Sequence, residues 1–398
     1  MEIRIAERVA ATPPYPFAEI DAKVRELRER GVDVVDFGVG DPTSPTPDFV
    51  VAALAEAARV RAAAGYPAYE GDPDFRAAAA EYIRREFGVT LDPGREVAST
   101  AGSKEAVFHF PLGFVDAGDV VICPTPGYPP YKNGARFAGG VPYFVPLREE
   151  NDFLMDYGAI PEDVCRRAKV IWTNYPNSPT GKVAPREWLE GLLAWAGRRG
   201  IVVAADEGCY HELYFGERPT SVLEVGREGV AAFYSLSKRN NMTCYRVGFV
   251  AGDERVISVY KKVKTNVDSG TPTFIQDAAA AALRDRDHAA KMREEYRAKR
   301  EAMLAALGAA GLPPCRSEAT FYLWQKAPAG MTGVDYAAKL LEIGVVTTPG
   351  EWIADATAEG VNPGRGYVRF ALVPPTAQVE AAAARLAALD FRGDGAGF

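Results

Sequence analysis

Between residues 96 and 252 the chain alternates short apolar runs with longer stretches of helical pattern. No other feature restricts its fold as tightly. The runs are "EVAST", "DVVICP", "VPYFVPL", "AKVIWTNYP", "GIVVAADE", "AAFYSLS" and "VGFVAG". Most of the gaps read as helices, among them "SKEAVFHFPLGFVDAG" and "REWLEGLLAWAGRRG". Strands that are apolar nearly throughout, rather than at alternate positions, need cover on both faces. The alternation therefore predicts an α/β fold: a mostly parallel sheet of about seven strands with helices on both sides. The last gap, between "AAFYSLS" and "VGFVAG", is polar and short for a crossover, so it allows one antiparallel strand.

After residue 253 the pattern changes. A charged helical region, "DHAAKMREEYRAKREAMLAALGAAG", leads into short strands "TFYLWQK" and "YVRFALV" and an Ala-rich helix. This reads as a smaller α+β domain. The expected division is an N-terminal arm (1–45), a large domain (46–275) and a small C-terminal domain (276–398), with "GDPTSPTPDF" as the loop leaving the arm. A chain of 398 residues suits such a division better than one small core. The net charge of −7 argues against nucleic acid as a partner. The start, "MEIRIAERVA", mixes charges into its apolar residues and is no secretory signal. No run reaches the roughly 18 apolar residues of a membrane span. Five scattered cysteines without a C-x-x-C pair, and only three histidines, predict neither a disulfide framework nor a metal site. A reducing cytoplasm is the expected compartment.

In open α/β sheets ligands bind beyond the carboxyl ends of the strands, so polar residues that follow strands converge. Asp206 ends "IVVAAD". Ser235, Ser237 and Lys238 follow "AAFY", and Arg246 lies eight residues after the lysine. Asn174, Asn177 and Ser178 follow "VIWT". Gly102, Ser103 and Lys104 stand between "EVAST" and a helix. The strand–"AGSK"–helix segment offers free backbone N–H groups and a positive helix end to an anion. The two serines and the arginine add hydroxyls and a guanidinium fork. An amine beside a phosphate cradle suggests a Schiff base to a phosphorylated aldehyde. A nearby carboxylate would keep a pyridine nitrogen protonated. Together these parts describe pyridoxal 5'-phosphate.

The motifs "GYPAYEGDPDFR", "AGSKEAVFHF", "PTPGYPPY", "NYPNSPTG", "AADEGCY", "SLSKRNNMTCYRVGF" and "YVRFAL" occur in one order along the chain. In that order the sequence resembles the fold-type I pyridoxal-phosphate aminotransferases of class I/II over nearly its whole length. The resemblance implies that Lys238 bonds the cofactor and moves the proton at the substrate Cα. It implies that Asp206 pairs with the ring nitrogen and that Tyr128 stacks on the ring. Ser103, Lys104, Ser235, Ser237 and Arg246 would hold the phosphate. Tyr66 would reach the phosphate of a neighbouring subunit, which implies a homodimer with shared sites. Arg369 would clamp the substrate α-carboxylate. Gly40 would bring backbone against the substrate, and Tyr15 would line the pocket.

Two departures from the family pattern stand out. The Asn that usually precedes P-T-G and meets the ring oxygen is here Ser178, with Asn177 one position earlier. The usual Asp-x-x-Tyr is here "DEGCY", so Tyr210 reaches the ring oxygen only through a one-residue bulge. Within the family, "GSKEAVFHFPLGFVDAGDVVICPTPGYPPY" and "KTNVDSG" resemble the LL-diaminopimelate aminotransferases of lysine biosynthesis. That likeness implies an amino acid donor and a 2-oxo acid acceptor, with the 2-oxoglutarate/glutamate pair expected. The segment "TNVDSGTPTF" lacks the arginine that the aspartate-specific subgroup places there. N-succinyl-diaminopimelate aminotransferase, a broad aspartate or alanine aminotransferase, and a C–S lyase on the same cofactor are the alternatives.

Overall fold

The computed structural model describes residues 3–10 and 18–392. Its strands, in chain order, are β1 (Val35–Asp36), β2 (Val97–Thr100), β3 (Val120–Thr125), β4 (Val141–Pro146), β5 (Ala168–Thr173), β6 (Val202–Ala205), β7 (Val230–Ser235), β8 (Gly248–Gly252), β9 (Tyr322–Lys326), β10 (Val345–Val346), β11 (Thr348–Pro349) and β12 (Tyr367–Ala371). Strands β2 to β8 form one seven-stranded sheet in the order β2-β8-β7-β6-β5-β3-β4. All pairs are parallel except those of β8, which runs antiparallel to both β7 and β2. The single reversed strand is the one that follows the short polar gap.

Successive residues of the central strands enter different cores. On β7, Val230, Ala232 and Tyr234 face one cluster while Ala231 and Phe233 face the other. On β3, Val120 and Ile122 are separated in the same way from Val121 and Cys123. Helices Pro73–Phe87, Arg186–Gly197 and Thr273–Arg284 cover the first face. Helices Ser103–His109, Pro129–Phe137 and Glu254–Val267 cover the second. The second core is anchored by Phe110, Trp172 and Phe233, each fully buried and in mutual ring contact at 5.2–5.8 Å. Truncating either phenylalanine to alanine would cost about 3–5 kcal/mol.

The third core lies outside this sheet. Helix Asp287–Ala309 packs along helix Thr376–Ala387, and both cover the antiparallel sheet β11-β12-β9. Val35 and Phe37 belong to this core, because β1 pairs with β10. The segment after β1 then crosses towards the large sheet: Thr43 Oγ1 donates to Val373 O at 2.6 Å and Thr46 Oγ1 to Asn241 O at 2.7 Å. No helix among the described residues is long and apolar enough to cross a membrane.

Candidate active site

A cavity of about 510 Å³ opens beyond the carboxyl ends of β5, β6 and β7 and is closed on its other side by residues of the smaller sheet. Its volume lies in the range of small-ligand sites.

The floor of the cavity depends on how β6 ends. Odd residues of β6 donate to β7, as Val203 N does to Gly229 O. Continuing that ladder, residue 207 would donate to Phe233 O. Instead Gly208 N makes that bond, at 2.9 Å, while Asp206 N still bonds Thr173 O on the other side. One extra residue has therefore been accommodated between Ala205 and Gly208, a bulge that re-aims the side chains around it. Asp206 points into the cavity, whereas Glu207 turns into the core. There Glu207 accepts from Tyr234 OH at 2.6 Å, from Val222 N at 2.9 Å and from Ser221 Oγ. A Cβ on residue 208 would overlap the Tyr234 ring, so only glycine fits the slip.

Asp206 is 5% exposed. Its Oδ2 accepts from Tyr131 OH at 2.7 Å, and Cys209 Sγ lies 3.8 Å from Oδ1. Burial raises its carboxyl to about 6, with the Tyr131 and Cys209 donors pulling the other way. The thiol of Cys209 is pushed up to about 12 by burial and the neighbouring carboxylate.

Lys238 follows β7, and its Nζ donates to Gly40 O. Gly40 lies against the Tyr322 hydroxyl. Around the lysine a group of donors faces one corner of the cavity. Arg246 Nη1 donates to Thr243 O at 2.9 Å and to Ser237 Oγ at 3.4 Å, and Nη2 to Ala101 O at 3.3 Å. Ser235 Oγ accepts from Ser237 N at 3.2 Å. A Cβ on Gly102, whose φ is +75°, would overlap Arg246 Nη2, so this close approach also requires glycine. Ser103 and Lys104 open the helix Ser103–His109 at the same corner. A guanidinium with several hydroxyls is a site for a dianion.

At the opposite end Arg369, on β12, donates through Nη2 to Gly38 O at 2.8 Å and to Thr348 Oγ1 at 3.4 Å. Its guanidinium lies 4.7 Å from the centre of the Tyr322 ring, and its Nε is buried without a hydrogen-bond partner. Tyr210 brings its hydroxyl to the cavity, 3.4 Å from that of Tyr322. Burial raises the Tyr210 phenol well above its ordinary range. Tyr128 is 38% exposed at the wall.

The structure thus brings together Gly40, Ser103, Lys104, Tyr128, Ser178, Asp206, Tyr210, Ser235, Ser237, Lys238, Arg246 and Arg369. It does not bring Asn177 to the cavity. That amide is spent in its own turn, accepting from Thr180 N at 3.1 Å and Thr180 Oγ1 at 2.7 Å and donating to Asn174 O at 3.0 Å. Asn174 and Ser178 line the wall there, tied by Ser178 N to Asn174 Oδ1 at 2.8 Å. Tyr66 is 88% exposed and lies outside the cavity. Tyr15 lies outside the described residues. Among the lining residues that the sequence does not single out are Tyr131, Cys209 and Tyr322. Tyr131 had a signal, since it stands one helical turn after Tyr128 within "PTPGYPPY"; Tyr322 had none.

Known proteins match along most of the chain. A family model described as aminotransferase class I and II matches residues 32–386. An LL-diaminopimelate aminotransferase of Aquifex aeolicus is 45% identical over 96% of this chain and 98% of its own. One of Nitratidesulfovibrio vulgaris is 43% identical over 97% and 99%. Among solved structures, aspartate aminotransferase from Thermus thermophilus with maleate superposes with a TM-score of 0.85 at 31% identity, covering 97% of this chain and 99% of that one.

Proposed function

The chain belongs to the class I and II aminotransferases, enzymes that transfer amino groups with pyridoxal 5'-phosphate, and on that premise we propose that its donor is LL-diaminopimelate. The observation that carries this choice is the run of relatives of that name at 42–45% identity over nearly full length. The segment "TNVDSGTPTF" has no arginine, which is compatible with a distal end held by polar groups.

The residues fit the cofactor. The buried carboxylate of Asp206 matches a protonated ring nitrogen, the Arg246 corner matches a phosphate, and the orphaned Arg369 Nε matches a carboxylate oxygen. When bound, pyridoxal phosphate supplies a carbonyl for the amino group and an electron sink for the pair left at Cα. Arg246, Ser235, Ser237, Ser103 and Lys104 would hold its phosphate, and Tyr128 would cover its ring. Tyr210, with Ser178 and Asn174 in place of Asn177, would meet the ring oxygen. Arg369 would take the α-carboxylate in its fork, which orients the Cα–H bond. Lys238 Nζ would then carry the proton at Cα. Tyr66, exposed here, would complete the site of a second copy in a homodimer.

A panel of amino donors with 2-oxoglutarate as acceptor tests the proposal. LL-diaminopimelate should give the highest kcat/KM. A higher value for the N-succinyl form, or for aspartate or alanine, would overturn it, and keto-acid and ammonia release without acceptor would point to a lyase.

A further inference from the structure

The two oxygens of Asp206 are not equivalent. Oδ2 has a short bond from a phenol, and Oδ1 has only a distant thiol. Tyr131 has little freedom to leave: it is fully buried, stacked on Trp172 at 4.8 Å and 16°, and edge-on to Tyr128 at 5.8 Å. Cys209 is held more loosely. It lies at the cavity wall and shares its sulfur with Ser103 Oγ at 3.4 Å. It is there because of the bulge that follows β6. Both groups stay protonated at neutral pH, since burial raises each of them. Each therefore acts towards the carboxylate as a donor.

We infer that Tyr131 and Cys209 divide the oxygens of Asp206: Tyr131 is a positioning residue bonded permanently to Oδ2, and Cys209 occupies Oδ1 only until the cofactor ring nitrogen takes it. The inference rests on the reading of Asp206 as the partner of that nitrogen. A phenol bonded to one oxygen favours the ionised carboxylate and fixes its plane. The free oxygen is then presented on the cavity side, where Cys209 stands. A thiol at 3.8 Å is weak enough to be displaced at little cost.

The apoprotein tests this, with the Asp206 carboxyl followed by carbon-13 NMR and assigned through Asp206→Asn. Tyr131→Phe should raise the Asp206 midpoint by about one to two pH units, the size expected for losing a hydrogen bond to a charged group. Cys209→Ala should move it by less than about half a unit, as a weaker bond implies. In the holoenzyme Tyr131→Phe should lower kcat with donor KM little changed. Global 3-fluorotyrosine labelling, which strengthens the phenol donor without removing it, should lower the midpoint and covers the case in which Tyr131→Phe does not fold. An unmoved midpoint in these proteins, or a larger shift from Cys209→Ala than from Tyr131→Phe, overturns the inference. Expected midpoints together with a fully active Asp206→Asn would instead sink only the reading of Asp206 as the ring partner.

Discussion

Asp206→Asn should stabilise the protein without cofactor and weaken it with cofactor. The reason lies in where the carboxylate is buried. Its ordinary value of 3.8 is raised to about 6 in the folded apoprotein, chiefly by loss of hydration. Between these values the folded state binds more protons than the unfolded state, so stability falls as pH rises through the window and stays low above it. From 3.8 to about 6 is two pH units, or about 3 kcal/mol at neutral pH. Asparagine has nearly the same shape, can still accept from Tyr131, and carries no charge to bury. The apo variant should therefore exceed the wild type by up to about 3 kcal/mol at pH 8 and by only about 1 kcal/mol at pH 4.5. For a chain of this length that is a rise in Tm of about 3–4 °C at pH 8.

Cofactor should reverse the order. A protonated ring nitrogen beside the carboxylate removes the penalty, and the binding energy adds to folding stability. The asparagine cannot pair with that charge. Calorimetry of apo and cofactor-loaded proteins at both pH values gives four comparisons. A Tm difference independent of pH would show that Asp206 is not a costly buried charge. Equal stabilisation of both proteins by cofactor would show that it does not pair with the ring.

Arg369→Lys should lower kcat/KM roughly ten- to a hundredfold for every amino and keto acid alike, because a point charge replaces a planar fork; a changed order of donor preference would refute that role. Lys238→Ala should abolish turnover yet retain cofactor by its phosphate, and borohydride reduction of the wild type followed by peptide mapping should label Lys238 and no other lysine. Gly102→Ala should weaken cofactor binding about tenfold or more through overlap with Arg246 and the cost of a side chain at positive φ, read by fluorescence titration. A mixed dimer of Tyr66→Ala and Lys238→Ala chains should regain one site of near wild-type cofactor affinity, since both lesions then fall in the other site. A fully active monomer would exclude that arrangement.

The large sheet was legible because its strands are apolar at both alternating sets of positions, and only a doubly covered sheet satisfies that pattern. Strands β1, β10 and β11 were not, because two residues carry no periodicity. Within the site, the sequence shows which side chains have useful chemistry and hides what each is bonded to. Asn177 stands beside P-T-G with an amide to offer, yet the turn consumes both ends of it. The choice between Asp206 and Glu207 shows the same limit. Two carboxylates end one strand, and spacing alone cannot assign them. What assigns them is the slip of the ladder to Gly208. That slip is held by residues of no catalytic interest: Tyr234 leaves no room for a Cβ on residue 208, and its hydroxyl with Ser221 and Val222 engages Glu207. The core thus selects which acid faces the cavity, and in turning Glu207 inward it also sets Cys209 beside Asp206 and carries Tyr210 to the wall.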